Sequence, residues 1–194
     1  MQISQRNLPH FYQIGHPIFV TFRLQGSLPP GREFPDDSNT AGKSFVYMDR
    51  LLDSNRDSPR YLQIPGVAEC VADEIQDGGK SNFELHAWVI MPNHVHILIT
   101  PQVDVSQLMR KLKGSTARQA NLLLGRTGVP FWQRESFDRL VRDSREFYRI
   151  ESYIVQNPVR AGLVREAEEY RWSSAWSRLQ PAVGFSPLGI KESG

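Results

Sequence analysis

Two short patterns in this chain place chemistry-bearing side chains at fixed spacing. The first is His94-Val95-His96, inside the otherwise apolar run "MPNHVHILIT" at 91–100. Alternate residues of a strand point to one side, so the two imidazoles share a face, with Cα atoms roughly 6–7 Å apart. Val95, Ile97 and Ile99 then take the opposite face. Two imidazoles at that separation can bind one metal ion, which gives a reason for polar groups where valines would pack better. The same pair also reads as surface or hydrogen-bonded core histidines. The second pattern is Tyr153 and Asn157 in "ESYIVQNPV", four residues apart and so on one helical face. A phenol beside a divalent cation is a competent nucleophile toward phosphorus, and an amide oxygen suits a hard cation such as Mg²⁺ or Mn²⁺. The plainer reading is a packed ring followed by a helix-ending Asn-Pro.

The other histidines give no comparable arrangement. His86 has the parity of His94 and His96 but sits on the preceding strand, across a turn, and His10 and His16 lie near the N-terminus in no pattern. Cys70 is the single cysteine, so there is neither an internal disulfide nor a Cys-rich zinc site.

The elements that must position these residues follow from periodicity. "HPIFVTFRL" (16–24) reads as a strand, followed by a long Gly-, Pro- and Asp-rich loop at 25–43. Phe45, Met48, Leu51 and Leu52 have helical spacing over 44–54, and a second helix is expected from Pro65 to the "DGG" at 77–79. "NFELHAWVIMPNHVHILITP" reads as an antiparallel hairpin turning at Pro92 and Asn93. A helix over 105–125, a short strand at 137–141, and a helix capped by Ser144 and ended by Pro158 complete the set. This is the order βαββαβ with one further helix, an α+β, ferredoxin-like antiparallel sheet with helices. One domain over 1–178 is expected, with a loop insertion at about 25–43 and a flexible tail at 179–194.

Net charge is only +2 over 194 residues, but it is unevenly distributed. Residues 105–165 hold twelve Lys and Arg against five Asp and Glu, or +7, which leaves −5 on the rest. A basic segment of this kind suits a polyanion, nucleic acid first, although solvated helix faces give the same count. Candidate phosphate contacts are Arg110, Lys111, Lys113, Arg118, Arg134, Arg139 and Arg142, with Phe131 and Trp132 as candidate stacking platforms for unpaired bases, although core packing is the plainer reading of Trp132. No run reaches the ~18 apolar residues of a membrane helix, and the N-terminus lacks a secretion-signal layout. A cytoplasmic, nucleoid-associated protein is expected.

"MPNHVH" flanked by strands resembles the HUH motif of the single-tyrosine transposases, and "YIVQNPVRAGLV" resembles the tyrosine helix of their REP-associated branch. "LKGSTARQ", "FWQRESFDRLVRD" and "YRWSSAW" follow that family's pattern in the same order, so the resemblance covers roughly residues 12–178. It implies an HUH nuclease fold with a C-terminal tyrosine helix, cutting single-stranded DNA beside hairpins such as repetitive extragenic palindromes. His94 and His96 would be metal ligands to Mg²⁺ or Mn²⁺, Tyr153 the nucleophile that forms a 5′-phosphotyrosine, and Asn157 the third protein ligand. Gln156 is the alternative to Asn157, because insertion-sequence relatives carry a glutamine near this place. Tyr148 is a competing tyrosine, but only Ser152 stands four residues on, so it reads as a core or surface residue. Monomer and homodimer both stay open. Two rival classes remain: a non-catalytic nucleic-acid-binding protein, and a metal phosphodiesterase that uses water.

Overall fold

The computed structural model describes residues 14–28, 41–55 and 57–179. His10, most of the expected 25–43 loop and the tail from 180 on lie outside the described residues. Four strands, β1 (Ile18–Arg23), β2 (Phe83–Ile90), β3 (His94–Pro101) and β4 (Phe137–Leu140), form one antiparallel sheet in the order β2-β3-β1-β4. Helices α1 (Ala41–Ser54), α2 (Pro65–Ser81), α3 (Val105–Leu123), α4 (Ser144–Val155), α5 (Asn157–Arg160) and α6 (Ser174–Leu179) complete the framework. The ferredoxin-like order expected from sequence is therefore present.

The two faces of the sheet bury different residue sets. On one, Ile18, Val20 and Phe22 of β1 and Val95, Ile97 and Ile99 of β3 pack with Val71 and Ile75 of α2 and Leu108 and Leu112 of α3. On the other, Phe19, Val89, Leu98 and Phe137 pack with Ile150 and Ile154 of α4. The strand alternation predicted at His94-Val95-His96 decides which face receives the imidazoles, because β3 turns its apolar residues to α2 and α3. Both histidines thus belong to the α4 face, where they are fully buried.

Two helix ends differ from expectation. The "DGG" at 77–79 does not stop α2, which continues to Ser81. Instead, those glycines allow β2 to approach: a Cβ on Gly78 would stand 2.5 Å from the Phe83 ring, and one on Gly79 3.1 Å from Leu85. The cap of α4 is Asp143 rather than Ser144, since the Asp143 carboxylate accepts from the Glu146 amide at 2.7 Å. Pro158 closes α4 as expected, lacking the N–H a continuous helix needs.

Candidate metal and nucleophile site

His94 and His96 are oriented from behind by their Nδ1 atoms. Asn93 fixes the first: its Nδ2 donates to the Leu52 carbonyl at 2.8 Å and to Ser58 Oγ at 3.0 Å. That leaves Asn93 Oδ1 to accept from His94 Nδ1 at 2.7 Å, so Nδ1 carries a proton and Nε2 faces the site. His96 Nδ1 lies 2.8 Å from Thr21 Oγ1 on β1, directly across the ladder. The ring centroids of the two histidines are 4.7 Å apart.

Both Nε2 atoms face a residue that sequence reasoning missed. Asp49 of α1 places Oδ1 3.1 Å from His94 Nε2 and 3.0 Å from His96 Nε2. Its other oxygen accepts from the Tyr153 hydroxyl in a short hydrogen bond, and from Asn157 Nδ2 at 2.9 Å. Asp49 is 3% exposed and Asn157 1%. Asp49, His94 and His96 form the one cluster among the described residues with the geometry to hold a metal ion. The sequence carries one signal for Asp49: it falls on the apolar side of α1, four residues after Phe45 and three before Leu52.

The electrostatics of this cluster call for a cation. Burial pushes the His96 imidazole below its ordinary value, with Asp49 opposing, so the ring is neutral near pH 7. Asp49 is held well below the usual carboxylate range by the histidines beside it, although burial works against this. Asp49 Oδ1 thus faces two buried Nε2 atoms at 3.0–3.1 Å, and positive charge belongs between them. Asn157 Oδ1 is likewise buried and accepts no hydrogen bond among the described residues. Nitrogen and oxygen donors of this mixture fit a divalent cation.

Burial, and after it the neighbouring Asp49, pushes the Tyr153 phenol above its ordinary value, so it is protonated here. Its ring stands edge-on to His96, centroids 5.9 Å apart. The four-residue spacing thus delivers Tyr153 and Asn157 to one oxygen across the α4–α5 junction. Gln156, the alternative ligand, is exposed. His86 is occupied elsewhere, 2.7 Å from Thr100 Oγ1, and His16 and Tyr148 are exposed.

Asp53, one turn beyond Asp49, is half-buried. Burial raises its carboxyl from 3.8 to about 6; Asp49 adds to the rise, while His94, Arg160 and Arg60 oppose it. Between these two values the folded chain binds more protons than the unfolded one, so stability falls as pH rises across this window. Asp53→Asn is expected to stabilise the metal-free protein by about 2 kcal/mol above pH 6 and to have no effect below about pH 4. Thermal melts at the two ends of the window check this.

The basic residues are distributed differently from the expectation. Arg110, Lys111 and Arg118 are exposed on α3, which covers the sheet face opposite His94 and His96. Arg110 and Lys111 share a groove there with Glu74 and Asp77 of α2. Lys113 donates to the carbonyls of Gln133 and Arg134 at 2.8 and 2.9 Å and to Ser136 Oγ at 3.2 Å, so it ties the segment before β4 to α3. Lys113→Met should therefore lower stability by about 2 kcal/mol, read by chemical denaturation, rather than act mainly on DNA affinity. Arg139 pairs with buried Glu146 at 2.5 Å, fixing the first turn of α4 to β4. Arg134 and Arg142 are exposed. Stacking on Trp132 is not available: it is 7% exposed, packs edge-on against Phe22, and donates from Nε1 to Thr116 at 2.9 Å. Phe131 is buried as well.

Comparison with known proteins gives a consistent pattern. Residues 68–157 match the family described as "Transposase IS200 like". The chain is 28% identical over 95 residues to the REP-associated tyrosine transposase of Escherichia coli (strain K12), a match covering 47% of the chain and 54% of that protein. It is 30% identical over 105 residues to the putative REP-associated tyrosine transposase of Haemophilus influenzae (strain ATCC 51907 / DSM 11121 / KW20 / Rd), covering 47% and 58%. The chain thus spans just over half the length of the curated relatives it matches. A solved structure of a REP-associated tyrosine transposase bound to a REP hairpin superposes over the whole of both chains, with a TM-score of 0.56 at 20% identity, which establishes a shared fold. Among the described residues no helix is long and apolar enough to cross a membrane.

Proposed function

From a chain that resembles the REP-associated tyrosine transposases in sequence and in fold, we propose a metal-dependent transposase-type enzyme. It cuts and rejoins single-stranded DNA beside hairpins, such as repetitive extragenic palindromes, through a 5′-phosphotyrosine. The observation that carries this reading is the convergence of His94, His96, Asn157 and Tyr153 on the Asp49 carboxylate. A merely packed tyrosine and two core histidines have no reason to meet there.

In this reading His94 and His96 hold Mg²⁺ or Mn²⁺ through Nε2, with Asp49 and Asn157 supplying oxygen. A cation so held polarises the scissile phosphate and favours ionisation of the nearby phenol. Asn93 and Thr21 keep the imidazole lone pairs aimed inward. Tyr153 gives up its proton to Asp49, which already accepts from its hydroxyl. The Tyr153 oxygen forms its bond to phosphorus in line as the bond to O3′ breaks, and the 3′ oxygen leaves as a hydroxyl after taking up a proton. The phosphotyrosine conserves the energy of the broken phosphodiester, so a 3′-hydroxyl can later attack it and free Tyr153 without ATP. Arg134 and Arg142 remain as exposed candidates for contacts to DNA phosphates. Arg110, Lys111 and Arg118 would serve only a strand that wraps to the α3 face.

The test is incubation of a labelled single-stranded hairpin library with Mg²⁺ or Mn²⁺, followed by denaturing gels. A protein-linked band that requires the metal supports the reading. Binding without any cleavage would leave the non-catalytic alternative, and cleavage without a linked band the water-using one.

A further inference from the structure

Arg160 is the last residue of α5, seven positions after the proposed nucleophile. Its guanidinium lies over the Tyr153 ring, 3.7 Å from Cζ to the centroid, and its Nη2 donates to the Tyr153 carbonyl at 2.9 Å. That carbonyl belongs to the last turn of α4, where a cation is favoured by the helix dipole. One anchored N–H explains how the side chain is held; among the described residues its other donors meet no hydrogen-bond acceptor, and the residue is exposed. The charge of the surroundings makes this informative. Asp49 and Asp53 both sit near Tyr153, and an incoming phosphodiester adds negative charge to a place already acidic. Arg160 acts electrostatically on Tyr153, His96 and Asp53 alike, so its charge is felt across the whole cluster. A planar guanidinium is suited to two oxygens of one phosphate.

We propose that Arg160 is a phosphate-binding residue of this site: stacked on Tyr153 and anchored to its carbonyl, it presents its remaining N–H groups to the non-bridging oxygens of the phosphodiester that Tyr153 attacks. Stacking and binding then act together, since the cation that receives the phosphate is fixed to the ring of the attacking residue. This rests on the function proposed above, but binding can be read separately from chemistry.

The experiment compares wild type with Arg160→Gln, which can keep the hydrogen bond to the Tyr153 carbonyl without the charge, and with Arg160→Lys. In the binding arm, affinity for a mixed-sequence single-stranded oligonucleotide is measured against salt. Arg160→Gln should reduce the slope of log K against log salt by about 0.7, one phosphate contact, and Arg160→Lys should keep it. In the chemical arm, the oligonucleotide selected from the hairpin library carries either the natural phosphate or a neutral methylphosphonate at the attacked position. Arg160→Gln should slow adduct formation about 10- to 100-fold on the natural substrate. On the methylphosphonate the two proteins should differ by no more than about twofold, because Arg160 has lost the charge it pairs with. An unchanged salt slope, or penalties that simply multiply, would overturn the proposal and leave Arg160 as a helix cap. Absence of any wild-type adduct would sink the proposed function instead, and the salt slope alone would still decide whether Arg160 meets a phosphate.

Discussion

Replacing Tyr153 with phenylalanine is expected to remove the covalent protein–DNA product and to slow strand cleavage by roughly 10⁴-fold or more, the scale of losing a nucleophile outright. The substitution deletes one oxygen and leaves its surroundings in place. The ring still stands against His96 and beneath the Arg160 guanidinium, so α4 has no reason to move. Asp49 Oδ2 keeps its hydrogen bond from Asn157. The cost in stability should be about 1 kcal/mol, the net value of one hydrogen bond. Single-stranded DNA binding should be unchanged, since the phenol carries no charge in the resting protein. A variant that still binds, still folds and no longer cuts separates the tyrosine chemistry from its rivals. If water were the nucleophile, Tyr153→Phe would keep cutting at a comparable rate, because a metal and its histidines would suffice.

Asp49→Asn is expected to remove most of the stabilisation that a bound metal brings. In wild type, Mn²⁺ at a hundred times its dissociation constant should add about 2.7 kcal/mol, or roughly 5–10 °C in melting temperature for a chain of this size. The variant loses the carboxylate that faces both Nε2 atoms, and the metal-dependent shift should fall to about 1 °C or less. Without metal, the histidines favour the ionised Asp49 carboxylate in the folded protein, an interaction an amide does not replace. The metal-free variant should therefore melt below wild type, by about 1–2 kcal/mol in stability. If Asp49 served only as a hydrogen-bond acceptor for Tyr153 and Asn157, the variant would weaken the metal-free protein as well but leave the metal shift intact.

Why Asp49 escapes a reading of the sequence, while His94, His96, Tyr153 and Asn157 do not, has a physical answer. Each of those two pairs lies within one regular element, so the strand period or the helix turn alone places its members together. Asp49 reaches the site by the docking of a separate helix. That docking depends on long-range contacts, such as the Asn93 bond to the Leu52 carbonyl, that no local period encodes. The acidic residue on an apolar helix face was the available signal, and it says that a partner exists without saying which. The order of elements was legible for the same local reasons, and with it the ferredoxin-like sheet. The basic residues show the opposite case. Helical periodicity correctly exposes Arg110, Lys111 and Arg118, but it does not say which sheet face α3 covers. Lys113 reads as a DNA contact by residue type, whereas tertiary packing gives it to backbone carbonyls, and of the two readings open for Trp132 the core takes it. The glycines at 78 and 79 read as a helix stop and are instead the clearance for Phe83 and Leu85.

Mass spectrometry of the trapped adduct tests the central claim most directly. Trypsin releases "IESYIVQNPVR", residues 150–160, which contains Tyr153 as its single tyrosine, and places Tyr148 in the separate peptide "EFYR". After reaction with a single-stranded hairpin substrate and Mn²⁺, followed by nuclease trimming, the 150–160 peptide should carry the mass of a 5′-phosphonucleotide, and the released strand should end in a 3′-hydroxyl. Cleaved DNA with an unmodified 150–160 peptide, or a nucleotide found on the Tyr148 peptide instead, would contradict the account.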